Sequence, residues 1–364
     1  MTPSSPATAI TAGLRTRLLW LALPLALAAC QAVPPPQPAE PPPPPPPNAS
    51  HQFDFDPDQD DVVGELQVIR AYEEDTLSDI ARRFNLGYDE MVRANPTVDP
   101  WLPRAGTPVV LPTRFVLPRA SRKGIVINLA AQRLYYFPPR QAGQPQTVIT
   151  HPIGIGRVGW ATPLGSTKVT AKTADPWWYP PMSVRREHAK EGDPLPAKVP
   201  PGPDNPLGRH KLTLGWPSYL IHGTNNPYGV GMRTSHGCIR MYPEDIAALF
   251  DDIPVGTPVT VVNQPLVFGW RGDELYVQSY PALEDDKRKH AGREHALLEQ
   301  ALADARRQRQ ELGVDPALVT ALAEDPRGLA LPVSDPTLTV DQYLAQVPRV
   351  DNRLPASATW DGLE

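Results

Sequence analysis

Eleven of the eighteen residues at 33–50 are proline, and no helix or sheet can be built from such a stretch. Each proline lacks the amide that a helix or ladder needs and holds φ near −65°. The segment therefore favours an extended polyproline II rod rising about 3.1 Å per residue, which holds the chain on its two sides roughly 50 Å apart. A tether is the natural reading, and a ligand for a proline-binding module is the competing one. The acidic run DFDPDQDD at 54–61 is expected to continue the link without structure, so residues 31–64 read as tether. With 48 prolines against 25 glycines in 364 residues, many of the remaining prolines must stiffen loops elsewhere.

Upstream, Arg15 and Arg17 precede an apolar run at 18–29, the length of a signal-peptide core and short for a membrane span. The run ends in LAAC, which resembles the bacterial lipobox. That resemblance implies a lipoprotein signal peptide at 1–30 and lipidation of Cys30. With Gln31 next in line, it also implies a protein anchored by lipid in the periplasm, on the outer membrane of a Gram-negative cell. An uncleaved anchor, or an ordinary signal with an incidental cysteine, remains open. If Cys30 carries lipid, Cys238 is the one thiol left in the exported chain, and an exported protein normally pairs its cysteines or avoids them. The net charge of −5 and the absence of a Lys/Arg-rich face give no reason to expect a nucleic-acid partner.

Residues 65–113 change character. A short strand precedes a helix after Asp75, with Leu77, Ile80, Ala81 and Phe84 at helical spacing. A second helix at 88–94 and the strand-like TPVVLP come next. This βααβ order, with EDTLSDIARRF and RANP, resembles the LysM module, which implies binding to peptidoglycan glycan strands. The family's Gly-Asp-Thr-Leu stands here as Glu74-Asp75-Thr76-Leu77, and a structural spacer of the same fold remains open.

Residues 123–264 carry short runs rich in β-branched residues: GIVINLAAQRLYYF as two strands turning near 130–132, then QTVITHPIGIG, STKVTAKT, RHKLTLGW, SYLIHGT and TPVTVVN. They predict a mainly β domain, a sandwich or barrel. One helix interrupts it at YPEDIAALFDDI, with Pro243 at a first helical position and Ile246, Leu249, Phe250 and Ile253 as an apolar stripe. Residues 176–206 are too proline-rich for regular structure and too aromatic for a linker, and are expected to form a flap over a site. Beyond, 265–281 read as a β-hairpin turning at 271–274. Residues 282–364 read as a charged helical or irregular tail, with Leu297, Leu298 and Leu302 on one helical pattern.

The candidate chemistry lies in SHGCIRM at 235–241. Cysteine reacts as thiolate, so a catalytic thiol needs a base, and acyl transfer needs donors for an oxyanion. His222 stands at a strand end fourteen residues before His236, and the Gly/Asn-rich loop between could return to bring an imidazole beside Cys238. Gly237 permits a sharp turn that leaves the Gly237 and Cys238 amides accessible. His222, His236 and Cys238 could instead be zinc ligands, but no fourth ligand is evident at short spacing, and no metal or cofactor is expected. Cys238 could also be buried and inert, and His236 could merely orient the loop.

Residues 123–264 resemble the L,D-transpeptidase catalytic domain of YkuD type. The motif of that family is a histidine, fourteen to seventeen residues, then Ser/Thr-His-Gly-Cys, an apolar residue and Asn or Arg. It maps onto His222, Ser235, His236, Gly237, Cys238, Ile239 and Arg240. Arg240 stands where many members have asparagine, and CIRM, with its arginine, resembles the branch with an N-terminal LysM module, the ErfK/YbiS/YcfS/YnhG group. The resemblance implies that Cys238 attacks peptidoglycan tetrapeptide stems with His222 as base. Gly223 would orient His222 through its carbonyl, and Ser235 or Arg240 would shape the pocket or hold substrate. The acceptor would be a second stem or an outer-membrane lipoprotein. An L,D-carboxypeptidase, a hydrolase that releases such a lipoprotein, and a lipid-anchored wall-binding role without catalysis remain open at this point.

Overall fold

The structure, a computed structural model, describes residues 51–140, 143–288, 292–306, 314–333 and 339–354. The expected signal peptide, Cys30 and the proline run lie outside the described residues.

β1 (Gln52–Phe55) and β2 (Val62–Gly64) put folded chain where the end of the tether was expected. The aspartates obscure a period of two. Phe55 is buried and Phe53 partly so, while Gln52 and Asp54 face solvent, the pattern of a strand covered on one side. Asp56 makes the turn between the strands by accepting from the Asp58 amide at 3.0 Å.

β3 (Gln67–Arg70), α1 (Leu77–Arg83), α2 (Tyr88–Ala94) and β4 (Pro108–Leu111) come in the expected βααβ order, β3 and β4 pairing antiparallel. α1 starts where a reciprocal cap can form. The Thr76 hydroxyl accepts from the Asp79 amide and the Asp79 carboxylate accepts from the Thr76 amide. Leu77, Ile80 and Ala81 supply its buried stripe.

β5 (Arg114–Val116) pairs with β2 and leads into the main sheet. Its strands are β6 (Gly124–Asn128), β7 (Arg133–Phe137), β8 (Gln146–Pro152), β10 (Gly165–Ala174), β11 (His210–Leu214), β12 (Leu220–His222), β14 (Ile239–Arg240) and β15 (Pro258–Val262), with β1 at one edge. The order is β1-β8-β7-β6-β15-β10-β11-β12-β14, a nine-stranded mixed sheet, so the mainly β expectation holds. β9 (Ile155–Gly156) and β13 (Arg233–Ser235) pair separately. α3 (Met182–Lys190) lies between β10 and β11, and α4 (Pro243–Asp252) between β14 and β15.

β6 and β7 are buried along their whole length because both faces of the sheet are covered. Val126, Tyr135 and Phe137 enter a core shared with Leu77, Ile80 and Leu111 of the βααβ segment. Ile125, Ile127, Leu134 and Tyr136 enter a second core with Ile246 and Leu249 of α4. Alternate residues of the same strands thus hold two layers together, at roughly 1.5–3 kcal/mol per large apolar side chain buried. Polar contacts reinforce the junction. Glu90 of α2 meets Arg133 of β7 at 2.8 and 2.9 Å, and Arg82 of α1 forks onto Glu244 of α4 at 2.8 and 3.0 Å.

β16 (Leu266–Arg271) and β17 (Glu274–Ser279) form the expected hairpin. α5 (Glu294–Arg306) is the expected charged helix, with Leu298 buried. α6 (Pro316–Glu324), β18 (Ala330–Pro332) and α7 (Val340–Gln346) complete the described tail. β18 pairs with β17 as a third strand, which a run as short as Ala-Leu-Pro does not announce. Leu66, Val68 and Ala94 share a core with Val277, Leu298 and Leu331, so the tail packs against the βααβ segment.

Candidate active site

The connection between β12 and β14 returns the chain beside itself: the two strands pair in parallel, Ile221 opposite Ile239 and His222 opposite Arg240. Gly237 makes the last turn at φ +98°, a conformation that side-chain-bearing residues rarely adopt, and a Cβ there would stand 3.1 Å from the Tyr219 ring. Cys238 is the next residue. Cys238 and His222 both line one cavity of about 430 Å³, walled by Trp160, Trp177 and Tyr219.

His222 is buried, and its Nδ1 lies 2.6 Å from the Gly223 carbonyl oxygen. A carbonyl only accepts, so Nδ1 carries the hydrogen and Nε2 is the nitrogen able to take a proton. Burial, with Arg240 and Lys211 adding to it, pushes this imidazole down to about 3, and the ring is neutral at physiological pH. Burial also pushes the Cys238 thiol up, against the opposing pull of the Leu220 backbone hydrogen bond and Arg240. The thiol donates to the Ser218 carbonyl at 3.6 Å. A neutral thiol and a neutral imidazole in one cavity suit proton transfer to a general base at the moment of attack, and differ from a pre-ionised pair.

The other residues of the motif brace the turn. The Ser235 hydroxyl donates to the Cys238 carbonyl, and the Thr162 hydroxyl donates to the Gly237 carbonyl at 2.9 Å. The Gly237 amide, expected to face an oxyanion, donates to Ser235 Oγ at 3.2 Å. That bond must be exchanged before the amide can serve a substrate. His236 turns its Nε2 to Glu187 Oε2 at 2.6 Å and stacks edge-on against Trp160 with ring centroids 4.7 Å apart. It orients the loop. The hydrogen bond from His236 holds the Glu187 carboxyl below its ordinary range, while burial pushes His236 down, so a neutral ring donates to a carboxylate. Among the described residues no group of three or more His, Cys, Asp or Glu is arranged to hold a metal ion.

The flap differs from its expectation. Residues 182–190 form α3, nine residues of helix inside the segment expected to lack regular structure. Its prolines sit outside the helix, with Pro181 at the N-cap, where no amide is lost. From α3, Glu187 reaches both His236 and Arg157. Neither Glu187 nor Arg157 stands out in the sequence, because they lie 49 and 79 residues from His236 and share no motif with it.

A family model described as the L,D-transpeptidase catalytic domain (YkuD) matches residues 122–261, and one described as the LysM domain matches 73–112. The chain belongs to the L,D-transpeptidase family and is an L,D-transpeptidase with a LysM domain. It is 42% identical over 237 residues to "Probable L,D-transpeptidase YbiS" of Escherichia coli K12, a match covering 64% of this chain and 76% of that one. It is 45% identical over 215 residues to "Probable L,D-transpeptidase ErfK/SrfK" of Salmonella typhimurium, covering 58% and 68%. Among solved structures, the catalytic domain of the Enterococcus faecium L,D-transpeptidase is 23% identical, over 40% of this chain and 100% of that one, with a TM-score of 0.29.

Proposed function

We propose that the enzyme transfers the acyl group of a peptidoglycan tetrapeptide stem to an amine through a thioester on Cys238. His222 Nε2 takes the thiol proton as sulfur attacks the carbonyl at the L-centre of diaminopimelate. The C–N bond to the terminal D-alanine breaks, and His222 returns the proton to that leaving amine. The acceptor amine then loses its proton to Nε2, attacks the thioester and releases the thiolate, which takes the proton back. The Cys238 amide donates to the oxyanion, joined by Gly237 once its bond to Ser235 has been exchanged. The flap limits water, which favours the amine over hydrolysis. The observation that carries this reading is the tautomer of His222, set by the Gly223 carbonyl, in the cavity that Cys238 also lines.

The acceptor amine belongs to a second stem, giving a 3-3 cross-link, or to a lipoprotein lysine, giving a membrane-to-wall anchor. Mass spectrometry of muropeptides after incubation with tetrapeptide-bearing sacculi, with and without a lipoprotein C-terminal peptide, separates a dimer, a conjugate and a shortened tripeptide. Wild type should give a dimer or conjugate and Cys238→Ala neither. Tripeptide as the sole product would make the enzyme a hydrolase, and undiminished transfer by Cys238→Ala would remove the thioester. The LAAC signal supports lipidation of Cys30 and a periplasmic, outer-membrane-anchored location. Fatty-acid label retained in Cys30→Ala would exclude that anchor.

A further inference from the structure

Three side chains meet in the cavity through strand register alone. Lys211 on β11 is the partner of His222 on β12, and His222 is the partner of Arg240 on β14. Direct partners on adjacent strands leave the sheet on the same face, and all three line the cavity that Cys238 also lines. The imidazole thus stands between two cations. Among the described residues no aspartate or glutamate lines this cavity; the acid of the flap, Glu187, is taken by Arg157 and His236. Arg240 reaches Thr234 Oγ1 at 3.3 Å through Nη1, while its Nε is buried without a hydrogen-bond partner. Burial pushes the guanidinium down from its ordinary value. Uncompensated cations in a cavity walled by tryptophan and tyrosine are costly to keep and suited to an incoming anion. A guanidinium fork with an unused donor fits a planar carboxylate, and an ammonium adds a second point of charge.

We propose that Lys211 and Arg240 form a two-point carboxylate site flanking His222 that selects the anionic end of the donor stem. The site takes the terminal carboxylate of the leaving amino acid and the free carboxylate of the diamino acid, one on each side of the scissile bond. This rests on the tetrapeptide stem being the donor. It assigns Lys211, which belongs to no motif, a part in specificity, and narrows the role of Arg240 from shaping the pocket or holding substrate to holding a carboxylate. With both carboxylates held, the carbonyl between them is brought to the sulfur, and the imidazole remains the one neutral base in the row.

The test uses binding as well as turnover. Calorimetry on the full chain carrying Cys238→Ala compares the tetrapeptide with the same peptide amidated at both carboxylates. The acid should bind about tenfold to a hundredfold more tightly, the range expected for hydrogen bonds to charged groups. Lys211→Met and Arg240→Gln, each made in that background, should each remove a large part of the preference with little change for the amide. Lys211→Arg should restore it. Equal loss for acid and amide, or no preference in the parent, overturns the carboxylate site. Turnover of the acid by the active enzyme without any preference would overturn the site and leave the transpeptidase reading standing. Preference without turnover would support the site and count against the stem as an acyl donor.

Discussion

Cys238 and His222 rest uncharged, and both for the same reason: each sits where burial penalises its ion. The sign of the two shifts predicts how the thiol responds to pH. A thiol held above its ordinary range has less thiolate at neutral pH than a free cysteine. An imidazole protonated only near pH 3 cannot supply a standing counter-charge at pH 6–7. Alkylation of Cys238 by iodoacetamide should therefore be slow at pH 6–7 and climb without a plateau through pH 9. A reactive plateau at pH 6–7 would reveal a pre-formed ion pair. The two residues stand out in the sequence because Cys238 is one of only two cysteines in 364 residues and the spacing of the motif marks both. The partners of His236 were not, since contacts across 49 and 79 residues leave no local period.

The flap shows how an element can be hidden by composition. Counting prolines at 176–206 suggests irregular chain, but their positions leave Met182–Lys190 free of them, and that interval is helical. The helix is pinned to the loop bearing Cys238 by Glu187, which joins His236 to Arg157. Glu187→Gln should loosen this hold without unfolding the domain. Hydrogen exchange of the α3 amides should quicken several-fold, and the ratio of hydrolysis to aminolysis should rise as water enters. Unchanged exchange in α3 would mean that the carboxylate does not hold the flap. The acidic strand β1 is a second case, since charge along the run masks the Phe53 and Phe55 alternation that makes it a strand.

At the scale of the molecule, the LysM domain is a layer of the structure and not an appendage. Gly87 and Gly231 pack backbone to backbone, a Cβ on Gly231 falling 2.3 Å from Gly87 Cα, and the Asp89 amide donates to the Gly231 carbonyl at 3.2 Å. The loop between His222 and Cys238 is thus anchored by the start of α2. The buried Glu90–Arg133 pair crosses the same junction. Glu90→Ala would leave the Arg133 guanidinium buried and unpaired, a loss of about 3–5 kcal/mol. Calorimetry should show a lower Tm in a single transition for both domains, and two separate transitions in wild type would refute the shared core.

The sequence by itself determined the local features: which segments are strands or helices, which modules they build, and which thiol and histidine are the candidates for the chemistry. Periodicity and side-chain chemistry act over a few residues, and a linear chain displays them directly. Only the tertiary structure decided what stands beside what. Burial of both sheet faces seated the LysM domain on β6 and β7, and register placed Lys211, His222 and Arg240 in one row. Such neighbours are set by closing long stretches of chain into a shared core, a free energy that no short segment contains.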